Sequence, residues 1–372
     1  MESLLAKLSS EAEQSTHPEG RAIAHASLGI ALAQLGRISE ARELVGKLRN
    51  DLAVPQSPRA AIKIFILEGL IYYYNDRNRL AIDRIKRAHV LSIAAGLNDL
   101  TCEASVWLSH LAFNFNDYDL LRDSLAQALG GLDKIDDSLR ARLSLVIADA
   151  FQYLGEWERS RDWYYVARLF ARHCHDHAVM VAIEYNRLVM GQSRIRVERI
   201  VFGFQKSFEK RNWIEELRTV QRLHDGFEAN ALSELLLISE AQWCEVNNDF
   251  AGALVHFQSI RTAQAAEKCG MSEFLLDLQI LWCRVLHDKS IKSVRLPELS
   301  EINSLSDDDQ LIALSLVRDI YDRLNIKYDQ ATFDATLDDA RQDCRKCLLK
   351  IGDAIAFSVD FLSTARMLAE RR

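Results

Sequence analysis

The run His173-Cys174-His175-Asp176-His177 packs imidazole, thiolate and carboxylate into one short stretch, the ligand types that zinc accepts. Alternate spacing serves a tetrahedral site only on an extended segment, and Cys174 falls near the end of a helical pattern. A polar loop between helices is therefore the favoured reading, and no metal is expected. Cys344-Arg345-Lys346-Cys347 is a single C-x-x-C inside a helical pattern. It has neither a second pair nor the strand-then-helix setting of a redox motif.

A basic-aromatic stretch interleaves Arg194, Arg196, Arg199, Lys206, Lys210 and Arg211 with Phe202, Phe204, Phe208 and Trp213. Cations and stacking rings are the ingredients of single-strand binding. Yet Phe204 and Phe208 stand four apart and Glu198 and Glu209 dilute the charge, as on an ordinary amphipathic helix. The chain holds no phosphate-binding glycine loop, no H-E-x-x-H and no G-x-S-x-G. A non-enzymatic protein without a cofactor is the expectation.

The elements that would position any site repeat along the chain. Leu28-Gly29-x-x-Leu32 leads to Gly36 and Ala41-x-x-x-Val45; Glu68-Gly69-x-x-Tyr72 leads to Asp76 and Ala81-x-x-x-Ile85. Leu108-Ser109-x-x-Ala112 with Asn116 and Leu121-x-x-x-Leu125, and Ile147-Ala148-x-x-Phe151 with Gly155 and Ser160-x-x-x-Tyr164, follow the same template. The turn residues Gly36, Asp76, Asn116 and Gly155 are 40, 40 and 39 residues apart. A fifth match, Glu240-Ala241-x-x-Cys244 with Asn248 and Ala253-x-x-x-Phe257, returns 93 residues later. Each unit reads as two helices, with small residues where backbones approach and bulky ones in the hollows between.

Four prolines and fifteen glycines among 372 residues are few, which favours an almost wholly helical chain. The first residues carry Glu2 and no uninterrupted apolar stretch, and no apolar run reaches the roughly 18 residues of a membrane helix. A cytoplasmic protein away from membranes is expected, its seven scattered cysteines reduced. A net charge of −7 opposes general affinity for nucleic acid.

The template resembles the tetratricopeptide repeat family, whose W-x-x-L-G-x-x-Y…A-x-x-x-F pattern is matched best by Leu28-Gly29 with Ala41 and by Ile147-Ala148-x-x-Phe151 with Gly155-Glu156-Trp157. The step exceeds the roughly 34 residues of the standard repeat. It is closer to the long-repeat variety of kinesin light chains, of maltose-type bacterial activators and of peptide-sensing bacterial regulators. The resemblance implies an all-α fold, an α-solenoid of stacked antiparallel helix pairs wound as a right-handed superhelix.

The resemblance also implies that the first helix of each pair lines a concave groove. The side chains it places there are Lys63, Tyr73 and Tyr74; Glu103, Trp107, His110, Phe113 and Asn114; Arg142, Asp149, Gln152 and Tyr153; and Tyr185 in a degenerate unit. Rings for contact area and amides for the backbone suit a peptide or protein ligand. The expected function is an adaptor or regulator. The alternatives are a ligand- or signal-peptide-sensing module and nucleic-acid binding through 194–213.

The expected organisation is a capping helix over 1–20, a repeat array over 21–287 with a degenerate section at 177–232, a linker at 288–306 around Pro297, and a C-terminal helical segment at 307–372. Within the degenerate section, Gly191-Gln192-Ser193 is expected to end one helix before Ile195 begins another. Near the end, separate helices are expected at Ala331–Leu349 and Asp353–Glu370. Either exposed end could be capped or pair with a second copy as a homodimer.

Overall fold

Gly36, Asn116 and Gly155 adopt φ of 74°, 57° and 77°, the left-handed conformation that ends a helix. At each, the next residue donates its N–H to the carbonyl five residues back: Arg37 to Leu32, Asp117 to Ala112 and Glu156 to Phe151, each at 2.9 Å. The turn residue itself bonds three back, which completes the Schellman pattern. With a turn this short and the two helices packed along each other, the pair must run antiparallel. Asn248 repeats the device with φ of 60° and a 2.8 Å bond from Asp249 to Cys244. Asp76, the corresponding turn of the second template segment, lies outside the described residues.

The computed structural model describes residues 2–50, 57–75, 78–174, 177–202, 213–225, 233–266, 271–305 and 307–371. Among them the regular structure is entirely helical, so the chain is all-α. No helix among the described residues is long and apolar enough to cross a membrane.

The chain divides into two compact units, one of residues 1–183 with 351–372 and one of residues 184–350. The first opens with α1 (Glu2–Gln14), packed on α2 (Pro18–Gln34). Four pairs follow: α2 with α3 (Ile38–Arg49), α4 (Pro58–Tyr73) with α5 (Asn78–Ala94), α6 (Asn98–Asn114) with α7 (Tyr118–Gly130), and α8 (Asp137–Tyr153) with α9 (Trp157–His173). Each first helix also packs on the next, α2 on α4, α4 on α6 and α6 on α8.

Small template residues sit where these helices meet. The α-carbon of Gly29 faces the Leu67 side chain, and that of Gly69 faces Ile85 and the carbonyl of Ala81. Ser109 on α6 donates to the Ser124 hydroxyl on α7 at 2.9 Å. Ala88, Ala128 and Ala167, each seven residues into its second helix's A-x-x-x-F element, are completely buried. Trp163, Tyr164, Phe151 and Phe170 fill the hollows of the fourth pair.

In the second unit, α10 (His177–Phe202) contributes its residues from Glu184 onward, followed by α11 (Trp213–Asp225). Next come α12 (Ser233–Val246), α13 (Phe250–Thr262), α14 (Glu273–His287), the single turn α15 (Leu299–Ile302), α16 (Asp307–Leu324) and α17 (Gln330–Ile355) as far as Lys350. Helices α12, α13, α14 and α16 pack in succession.

Two expected helix ends are corrected. Helix α10 runs unbroken through Gly191-Gln192-Ser193. An interior glycine costs only about 1 kcal/mol, and here Ile195 is buried beside Leu188, Val220 and Leu236 while Gln192 donates to the Ser239 carbonyl at 3.1 Å. Helix α17 likewise continues past Lys350 to Ile355, then tightens into a 3-10 segment (Ala356–Phe361) before α18 (Leu362–Glu370). The reason is burial, because Ile351, Ala354, Ile355, Ala365 and Ala369 all enter the core of the first unit. The C-terminal segment 307–372 is thus shared, its last 22 residues belonging with residues 1–183.

Candidate functional site

Helices α4, α6 and α8 carry the candidate residues at one repeat position, and α6 and α8 end at turns of the same construction. Lys63, Glu103 and Arg142 each stand thirteen residues before their template turn residue. Lys63 pairs with Glu103 at 2.7 Å, and one turn earlier Arg59 pairs with Asp99 at 2.7 Å. Both pairs span forty residues, the repeat step itself.

The series does not continue to α8. Arg142 stacks its guanidinium over the Trp107 ring, 4.4 Å from the centroid, instead of meeting Glu103. Trp107 is only 1% exposed, and its other ring neighbour is His110, at 6.2 Å and nearly perpendicular. His110 in turn meets Tyr73 edge-on at 5.4 Å, and Tyr73 meets Tyr74 at 5.0 Å. An unbroken chain therefore runs Tyr74, Tyr73, His110, Trp107, Arg142 across three first helices. Asn114 closes it on one side, donating to the His110 carbonyl at 2.8 Å and to the Tyr73 hydroxyl at 3.4 Å.

His110 keeps some exposed surface at its edge, yet its ring is enclosed by these neighbours. Loss of hydration, with the Arg142 charge second, pushes its pKa from 6.5 down to about 3. At neutral pH it is an uncharged imidazole able to donate one hydrogen bond and accept another.

The remaining candidates fall elsewhere. Asp149 is buried in the fourth pair, where the Tyr164 hydroxyl donates to it at 2.5 Å. Gln152 is buried, with the Ser160 hydroxyl 3.5 Å from its amide oxygen. Phe113 and Tyr153 are half-buried against the core of pairs three and four. Tyr185 belongs to the other unit, packed against Leu188, Ile195, Val220 and Leu236.

Sequence reading passed over two features of this surface. One is the Arg59–Asp99 pair, whose only signal is opposite charge one repeat step apart. The other is Glu68, a buried carboxylate that takes two hydrogen bonds from Arg49 and lies 3.4 Å from Arg84. Arg84 spans the Phe65 and Tyr72 rings. Glu68 holds α3 and α5 to α4, so its role is in packing.

Of the run His173 to His177, His175 and Asp176 lie outside the described residues, and Cys174 directs its thiol to the Ala171 carbonyl. No group of three or more potential ligands converges on a metal position among the described residues. Cys344 is buried in α17 and Cys347 half-buried, both as thiols. In the segment 194–213, residues 203–212 lie outside the described set, and Arg194 is buried. Compared with protein-family models, with curated proteins and with solved structures, the chain matches none.

Proposed function

We propose that this chain is a non-enzymatic, cytoplasmic α-solenoid of the long tetratricopeptide-like kind, a right-handed stack of antiparallel helix pairs that holds a peptide or protein segment as an adaptor or regulator. The solenoid part of the reading rests on the i to i+40 pairing of neighbouring first helices, the relation expected when one supersecondary unit is stacked on its copy. The observation that carries the binding part is the contact chain from Tyr74 to Arg142. It presents two tyrosine rings, an amide, a neutral imidazole and a cation along three helices. Rings supply contact area at small entropic cost, and the amide and imidazole can bond a bound backbone.

Selection of a random displayed peptide library on the full chain tests this. Enriched peptides should lose at least tenfold in affinity on Tyr73→Ala with Asn114→Ala, while the helical signal and melting temperature stay within a few degrees. An absence of enriched peptides, or peptides indifferent to that double change, would remove the reading.

A further inference from the structure

Helix α9 has two sides of opposite chemistry. Trp163, Val166 and Phe170 are buried in the core of the fourth pair. On the other side Arg161, Tyr165, Arg168 and Arg172 follow one another at intervals of four, three and four residues, which lines them up along one helix face. Arg161 and Arg172 are exposed, Tyr165 is 43% exposed and Arg168 is half-buried. Neither Arg161 nor Arg172 makes an ion pair among the described residues.

Helix α18, packed on α9, flanks this face. Arg366 reaches Asp162 at 3.2 Å and lies over the Tyr165 ring, 5.7 Å from its centroid. The first contact neutralises an acid beside the stripe, and the second holds a cation against a ring that still meets solvent. Glu158, one turn before Arg161, stands at the end of the stripe. Every cation on the stripe is an arginine, whose planar fork matches a phosphate with two parallel hydrogen bonds where lysine offers a point charge. An exposed ring between such cations supplies a stacking surface for a base.

We propose that this face of α9 binds one strand of nucleic acid, with phosphates on Arg161, Arg168 and Arg172 and a base on Tyr165. Arg161 and Arg172 are eleven residues apart, about 16 Å along the helix. That is a span of about five nucleotides at the roughly 3.4 Å spacing of a stacked strand. A stripe one helix wide follows a single backbone, and a chain of net charge −7 repels the doubled charge of a duplex. A run of acidic side chains would engage the arginines and not the ring. The residues lie on a second helix, separate from those of the groove on α4, α6 and α8, so the inference does not depend on the peptide-binding reading.

The experiment titrates a short labelled single-stranded RNA with the full chain over a range of salt concentrations. Neutralising three phosphates makes the logarithm of affinity fall against that of salt with a slope of about −2. Arg161→Gln with Arg172→Gln should flatten the slope to about −0.7 and weaken binding at low salt at least tenfold. Tyr165→Leu should weaken it about fivefold or more and leave the slope unchanged. Because these side chains are at the surface, melting temperatures should stay within a few degrees of the wild type. Tyr73→Ala with Asn114→Ala should leave RNA binding as it is, and duplex RNA of the same length should bind at least tenfold more weakly. No RNA binding at low salt, binding indifferent to salt or to the paired arginine change, or a duplex held as tightly as the single strand would overturn the proposal. So would a higher affinity for polyglutamate or for phosphatidylserine vesicles than for the RNA. Each of these results leaves peptide capture by α4, α6 and α8 to be judged on its own test.

Discussion

The ammonium of Lys63 lies 2.7 Å from the carboxylate of Glu103, and the two residues are forty positions apart, one repeat step. The pair joins α4 to α6, with Lys63 at 19% and Glu103 at 8% side-chain exposure. Removing one partner leaves the other poorly hydrated, whereas removing both leaves nothing unpaired. Lys63→Met alone should lower unfolding free energy by about 2 kcal/mol, and Lys63→Met with Glu103→Leu should recover most of that loss. Denaturant melts of the four proteins in the cycle measure the coupling. Additive losses would show that the two charges do not support each other.

Gly29 and Gly69 occupy the same template position, and their neighbours separate them. A methyl group at Gly29 would meet a Leu67 methyl at 2.5 Å, the far end of a side chain that can rotate. At Gly69 it would meet the Ile85 γ-carbon and, at 3.2 Å, the backbone oxygen of Ala81, which cannot yield. Replacing glycine by alanine relieves about 1 kcal/mol of helix cost, against roughly 1–3 kcal/mol for overpacking. Gly29→Ala should therefore change stability little, while Gly69→Ala should lose about 1–2 kcal/mol. Thermal melts of the two variants decide it, and equal losses would contradict the difference in surroundings.

His110 gives the fold an acid sensitivity of definite sign. Its pKa is about 3 in the folded protein against 6.5 for the ordinary side chain. Between these values the unfolded chain holds a proton that the folded chain lacks. Stability is therefore complete above about pH 6.5 and falls as the pH drops toward 3, by up to about 1.4 kcal/mol per pH unit. From pH 7.5 to 5 the wild type should lose about 2 kcal/mol more than His110→Gln. Parallel urea-melt series for the two proteins would rule this out.

The last helix should matter to a part of the chain far from it in sequence. Helix α18 packs on α9 and the 3-10 segment on α7, and Arg366 reaches Asp162 at 3.2 Å. Ile351 and Ile355 are buried beside Phe170, Val166 and Ala171 in one core. Each buried isoleucine contributes about 1.5–3 kcal/mol. A chain ending at Lys350 should lose on the order of 5 kcal/mol from residues 1–183 and expose amides of α9 to hydrogen exchange. Undiminished protection of α9 in the shortened chain would refute that dependence.

The helix pairs are legible in the sequence because their causes are local. Gly36, Asn116 and Gly155 announce left-handed turns, and the small and bulky template residues announce which faces meet. The sites are less so. Lys63, Glu103 and Arg142 share one repeat position and look interchangeable in the sequence, yet two of them neutralise each other and the third stacks on a ring. Asp149 reads as a surface acid and is buried under Tyr164. Gly191 reads as a helix break, and the helix passes through it because Ile195 and Gln192 are anchored from elsewhere.

By itself, then, the sequence determined that this chain is helical, where the pairs of its first half turn, and that successive pairs stand forty residues apart. Those properties depend on backbone conformation and on periodicity, which neighbouring residues decide. Only the tertiary structure decided which charges cancel, that Arg142 is buried against the Trp107 ring with no ion pair among the described residues, and that residues 351–372 complete the core built by residues 1–183. Such facts depend on which distant side chains exclude water together, and burial of that kind has no period along the chain.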